Sequence, residues 1–226
     1  MRNFCCLLIS AALAAPPAYA KPPARIEIAY EVMRNGAVVA DVFHHMEHDG
    51  RVYQLSEVWK GRGLYALRGT VKRTSRGIVS EEGLQPLEFM DERTGRRTAW
   101  AKFDWHAKTL TMQYKSEPRI KPLPVHAHDR LAFIFDFAFA PPRARDVSFD
   151  LADGRGLSHH VYSVGARERL KIPAGEFDAL KLLRATGEER AEIWLAADRS
   201  YLPVRVLVTN DDGTRYDQVA TRIATP

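Results

Sequence analysis

Period-two alternation, repeated in segment after segment between short turns, most limits what this chain can fold into. Ile26, Ile28, Tyr30 and Val32 alternate with Glu27 and Glu31 before the hairpin pair Asn35-Gly36. A second run spans Val38 to Met46 and reaches Asp49-Gly50, and a third covers Val52 to Trp59. Ala99, Ala101, Phe103 and Trp105 share one face, and Leu110, Met112 and Tyr114 share another beyond the turn at His106-Ala107-Lys108. Val147, Phe149 and Leu151 alternate with Asp146, Ser148 and Asp150. Strands with one apolar and one mixed face, joined by short turns, build antiparallel sheet rather than parallel sheet buried on both faces.

The C-terminal third is the most regular. A strand from about His159 to Ile172 meets Pro173-Ala174-Gly175, and Phe177 to Ala185 returns to a turn at Thr186-Gly187-Glu188. Ala191, Ile193, Leu195 and Ala197 line the next strand, and Asp198-Arg199-Ser200 turns into Leu202, Val204, Val206 and Val208. Asn210-Asp211-Asp212-Gly213 leads to a last strand from Arg215 to Ile223. Five consecutive strands must either close or protect their edges. The expected fold is therefore all-β in the main, an antiparallel meander forming a barrel or a strongly curved open sheet.

One segment fits two periods. In DRLAFIFDFAF, from Asp129 to Phe139, Leu131, Phe133, Phe135, Phe137 and Phe139 suit a strand, while Leu131, Ile134, Phe135 and Ala138 suit a helix. Asp129 is a good N-cap and Pro141-Pro142 a good stop, which favours one short helix near 129–139. It is apolar almost all round, so it should lie buried against or inside the sheet.

The N-terminus reads as an address. Arg2 precedes an apolar run from Cys5 to Ala15, and Ala18-Tyr19-Ala20 forms a small-x-small cleavage pattern. The run falls short of the roughly 20 residues a membrane span needs. Residues 1–20 are thus expected to be a signal peptide cut after Ala20, and residues 21–226 one exported, periplasmic domain. Cutting there would remove both cysteines, leaving neither disulfide nor thiolate chemistry. The formal net charge of +5 is spread over interleaved acids and bases, with no basic run suited to nucleic acid.

HDRLAFIFDF, ERLKIPAGEFDALKL and AEIWLAADRSYLPVRV together resemble the bacterial exported family called domain of unknown function 3108. The matching positions are Asp129 and Leu131; Pro173, Gly175 and Phe177; and Trp194, Asp198, Pro203 and Val204. Gly83 to Phe89 is similar to the family's Gly-Leu-x-Pro segment. The resemblance spans nearly all of residues 21–226. It implies an open antiparallel barrel-like shape and brings no activity with it.

Chemical signatures are sparse. His44 and His48 share a strand face, but lie roughly 13 Å apart along it, too far for one metal ion. His126 and His128, about 6.6 Å apart if extended, are the best-placed pair for a metal, yet no third ligand is identifiable. No metal site and no cofactor is therefore expected. Ser158-His159 is mere sequence adjacency, no nucleophile elbow or phosphate loop occurs, and the Glu81-Glu82 and Glu188-Glu189 pairs sit beside turns. The aromatics exceed what turns require, and Trp59, Trp100, Phe133, Phe137 and Trp194 are candidates for lining a cavity. The expectation is a non-enzymatic protein holding a lipid or another apolar envelope component. A structural or assembly role with a protein partner and an envelope-polymer hydrolase are the alternatives.

Overall fold

The computed structural model describes residues 22–185 and 189–226. The expected signal peptide and the turn at 186–188 lie outside these residues. Fifteen strands form one sheet whose neighbours follow chain order, apart from the pairing of its first and last strands. From β1 (Arg25–Arg34) the chain steps outward through β2 (Ala37–His48), β3 (Val52–Gly61), β4 (Thr70–Ser80), β5 (Gly83–Arg93), β6 (Ala99–Asp104), β7 (Thr109–Gln113) and the edge strand β8 (Arg119–Pro122). On the far side β1 pairs with β15 (Arg215–Ala224), and the order runs back through β14 (Leu202–Asn210), β13 (Glu189–Ala196), β12 (Gly175–Arg184), β11 (Leu157–Ile172) and β10 (Asp146–Ala152) to β9 (Ala127–Asp129). Every pairing is antiparallel except β9 with β10, which α1 (Ala132–Phe139), the one α-helix among the described residues, separates in sequence.

The sheet is open, because β8 and β9 are its two edges, and it rolls up around the helix. Phe135 and Phe137 are fully buried beside Tyr30, Phe89, Leu55 and Ile193 from strands all round the sheet. The helix begins later than the sequence suggests. Asp129 ends β9, and its Oδ1 accepts the N–H groups of Leu131 and Ala132 at 2.8 Å each. Its carboxylate thus satisfies two of the orphan donors at a helix start, as an N-cap does. Halfway along, Asp136 Oδ1 accepts the Leu84 N–H at 2.6 Å, tying α1 to β5. Gly83 makes that approach possible: at φ +119° it has no Cβ, and one would lie 2.2 Å from Asp136 Oδ1.

The two ends of the rolled sheet meet through a turn rather than a strand ladder. Between β10 and β11, Asp153 Oδ1 accepts the N–H groups of Arg155 and Gly156 at 3.0 and 3.2 Å. Gly154 sits so close to β6 that a Cβ would lie 2.5 Å from the Trp100 nitrogen. Arg155 reaches Asp91 of β5 at 2.8 Å and covers the Tyr114 ring at 4.5 Å. Side chains close the roll where backbone hydrogen bonds do not.

Candidate functional site

Four strands carry an ionisable residue at the same height on their inner face. His44, Glu57, Arg73 and Asp91 are direct cross-strand partners on β2, β3, β4 and β5. Opposed side chains in antiparallel sheet lie about 5 Å apart at Cβ, so register alone assembles them into a row. His44 Nε2 meets Glu57 Oε2 at 2.9 Å, Arg73 pairs with the other Glu57 oxygen, and Arg73 Nε lies 3.5 Å from Asp91. Arg93 and Arg155 each add a 2.8 Å contact to Asp91 Oδ2.

Burial favours the neutral form of each acid in this row, but its partners outweigh that tendency. The His44 hydrogen bond and the Arg73 charge hold Glu57 at about 2. Arg93, Arg73 and Arg155 hold Asp91 at about 2 as well. Asp129 goes the other way: burial outweighs the Ser75 hydroxyl and the helix N–H groups and raises it to about 6. Ser75, itself bonded to Tyr53, gives Asp129 Oδ2 a 2.5 Å bond.

Beyond Arg73 the interior opens into a cleft of ≈ 380 Å³. One wall is apolar, with Phe133 and Ile134 from the helix, Tyr162 from β11, Ile193 from β13, and Val206 and Val208 from β14. Arg73, Arg130 and Arg184 line it too, together with His160. Burial, followed by Arg184 and then Arg130, pushes His160 below its usual range, so the two guanidinium groups act on the same space. Arg130 is itself lowered, by burial and then by Arg73.

These cations are only partly partnered. Arg130 meets Asp153 at 3.5 Å and Arg184 meets Glu189 at 3.2 Å. Among the described residues, the buried Nε groups of Arg73 and Arg184 find no acceptor of hydrogen-bond geometry, and His160 Nδ1 is likewise without a partner. Unmet buried polar groups are uncommon in folded proteins and need a reason. Here three of them line one cleft.

The aromatics expected to line a cavity are divided among several places. Phe133 is on the cleft wall, whereas Trp59 lies outside the lining with its ring 5.9 Å from the Arg73 guanidinium. Phe137 is in the closed core at 1% exposure. Trp194 alternates with the inward Ile193 and so lies on the outer face. There Lys181 and Arg205 cover its ring at 4.8 and 4.7 Å, and Nε1 donates to Glu168. Trp100 alternates with the buried Ala99 and Ala101, with Lys102 5.6 Å over its ring. His126 is exposed, while His128 lies 3.5 Å from Asp136 and edge-on to Phe149. Among the described residues no group of three or more His, Cys, Asp or Glu is placed to hold a metal ion.

Sequence reasoning passed over the arginines and the inner charged row. The available signal was a polar residue in step with an apolar set: His44 between Val42 and Met46, and Glu57 after Tyr53 and Leu55.

The family model described as "Protein of unknown function (DUF3108)" matches residues 25–219, almost all of the folded region. The chain belongs to the DUF3108 family. No curated protein matches it significantly. A crystal structure described as that of a "putative lipoprotein" from Parabacteroides distasonis ATCC 8503 is similar at 9% identity, covering 91% of this chain and 97% of that one with a TM-score of 0.39. Several positions carrying the DUF3108 resemblance have structural work. Asp129 starts the helix, and the Pro203 carbonyl accepts the Tyr30 hydroxyl at 2.7 Å across the interior.

Proposed function

We propose that this protein is an exported envelope protein that binds an amphipathic anion, an acyl chain ending in a carboxylate or phosphate, in the cleft beside α1. The observation carrying this reading is the union of an apolar wall with three arginines, two of which, Arg73 and Arg184, retain an unmet Nε–H among the described residues. An acyl chain would lie against Phe133, Ile134, Ile193 and Val206. The anionic end would accept hydrogen bonds from Arg73 and Arg184, whose planar forks suit carboxylate and phosphate oxygens. The volume falls within the range of small-molecule sites, at its smaller end, and so suits one chain rather than a whole diacyl lipid.

No bond-making step is part of this reading. Glu57 and Asp91 are held ionised by fixed cations and serve to position Arg73. Native mass spectrometry of protein purified gently from its own cells tests the proposal. An adduct with the mass of an acyl acid or acyl phosphate is expected, and Val208→Trp, which fills the cleft, should remove it. A wild-type protein that arrives ligand-free in repeated preparations would count against the reading.

A further inference from the structure

Between β3 and β4 the chain makes a 3-10 turn, Gly63–Arg68, none of whose residues is buried. Leu64 and Leu67 are 84% and 86% exposed, more than any other large apolar side chain among the described residues. In a 3-10 turn, side chains three apart eclipse one another, so the two leucines point the same way. Single exposed leucines are ordinary on protein surfaces. A pair held on one face of a pinned turn is less so.

The turn is firmly held. The Arg62 N–H donates to the Val39 carbonyl at 2.8 Å, and the Gly69 N–H to the Ala66 carbonyl at 3.2 Å. Gly61 lies so close beneath the turn that a Cβ would come 2.2 Å from the Tyr65 oxygen. Arg34 donates to the Tyr65 hydroxyl at 3.3 Å. The leucines are thus presented by a fixed platform, not by a slack loop.

Cations outnumber acids around them. Arg62 is neutralised by Asp41 and Glu31. Arg34, Lys60 and Arg68 enter no ion pair among the described residues. Lys60 lies over Phe43 at 5.4 Å and Arg68 over Tyr65 at 4.8 Å, so aromatic rings hold both cations in place. Two parallel leucines beside three cations that form no close ion pair complement an anionic bilayer surface, where apolar tips enter the interface and cations meet lipid phosphates.

Register places this turn at the cleft's end of the roll. Arg34 pairs with Tyr216, Tyr216 pairs with Val208, and Val208 lines the cleft. We infer that Leu64 and Leu67 dock the protein on an anionic membrane surface with the cleft facing the bilayer. The docking stands on its own residues; only the purpose of that orientation rests on the proposed ligand.

The test uses the full chain with Cys5→Ser and Cys6→Ser, carrying an environment-sensitive dye at Leu64→Cys. Vesicles of phosphatidylglycerol in phosphatidylcholine should shift its emission to the blue, and pure phosphatidylcholine vesicles should not. The same dye at Ile120→Cys, an exposed site on the edge strand β8, should stay unchanged. Arg68→Glu should weaken vesicle affinity roughly fivefold or more, since each basic residue near such a surface contributes about that factor. Val208→Trp should leave docking intact while abolishing acyl binding, which separates this inference from the proposed function. An unmoved signal at 64, an equal shift at 120, an unchanged affinity for Arg68→Glu, or a shift produced by concentrating the protein without vesicles would each overturn it. The last result would mean that the leucines meet a second copy of the chain.

Discussion

Asp129 is fully buried, and ionising it costs free energy that the folded protein must absorb. Its folded value of about 6 lies above that of an unfolded aspartate, so the folded state holds the extra proton between them. The associated stability is complete below about pH 4 and is lost as pH rises through 6. His128 acts in the same sense: burial lowers it, but the hydrogen bond and charge of Asp136 outweigh this and raise it overall, so its contribution also fades with rising pH. Glu57 and Asp91 are depressed instead, and their contribution is lost as pH falls toward 2. Urea unfolding at a series of pH values should find the protein most stable in mildly acid solution. By pH 7 the Asp129 contribution, about 3 kcal/mol, should have gone. Asp129→Asn keeps the oxygen that accepts the helix N–H groups and removes the charge. Its stability should therefore vary much less between pH 5 and pH 8, and a profile parallel to the wild type would contradict the assignment.

The helix and the strands it touches depend on close approach. Phe135→Ala empties the centre of the roll and should cost about 3–5 kcal/mol, measured by chemical denaturation. Gly36 and Gly83 both have positive φ, but only Gly83 faces Asp136; a Cβ at Gly36 would meet nothing within 4 Å. Gly83→Ala should therefore lower thermal stability clearly more than Gly36→Ala, and equal effects would argue against the Asp136 contact. The same elements mark what the sequence could and could not disclose. The strands from β11 to β15 were legible because their inward sets are mostly apolar and their turns carry proline, glycine or aspartate. In contrast, β4 turns Arg73, Ser75 and Gly77 inward, leaving almost no apolar alternation to read. Asp129 was legible as the start of the helix, but its place at the end of a parallel strand depends on a long-range pairing that no local pattern encodes. The inner charged row was hidden for a similar reason. Each member is an isolated polar residue until register aligns all four.

For the molecule as a whole, the roll is a single continuous sheet whose first and last strands are partners, with its weak point between the free edges β8 and β9. The turn from Asp153 to Gly156 spans that seam, so Arg155→Ala should raise amide hydrogen exchange in β5, β6, β10 and β11 while β13 and β14 stay protected. Uniform loosening would mean that the seam is not a separate unit. The same roll gives the cleft its character, with the aliphatic wall on one half of the sheet and Arg73 on the other. Direct titration with a dansyl-labelled fatty acid and its matching alcohol tests that union most plainly. The acid should bind at least tenfold more tightly than the alcohol, Arg73→Ala with Arg184→Ala should erase the difference, and Val208→Trp should abolish both. Failure of the wild type to bind the acid, or equal affinity for acid and alcohol, would contradict an arginine-rimmed acyl site.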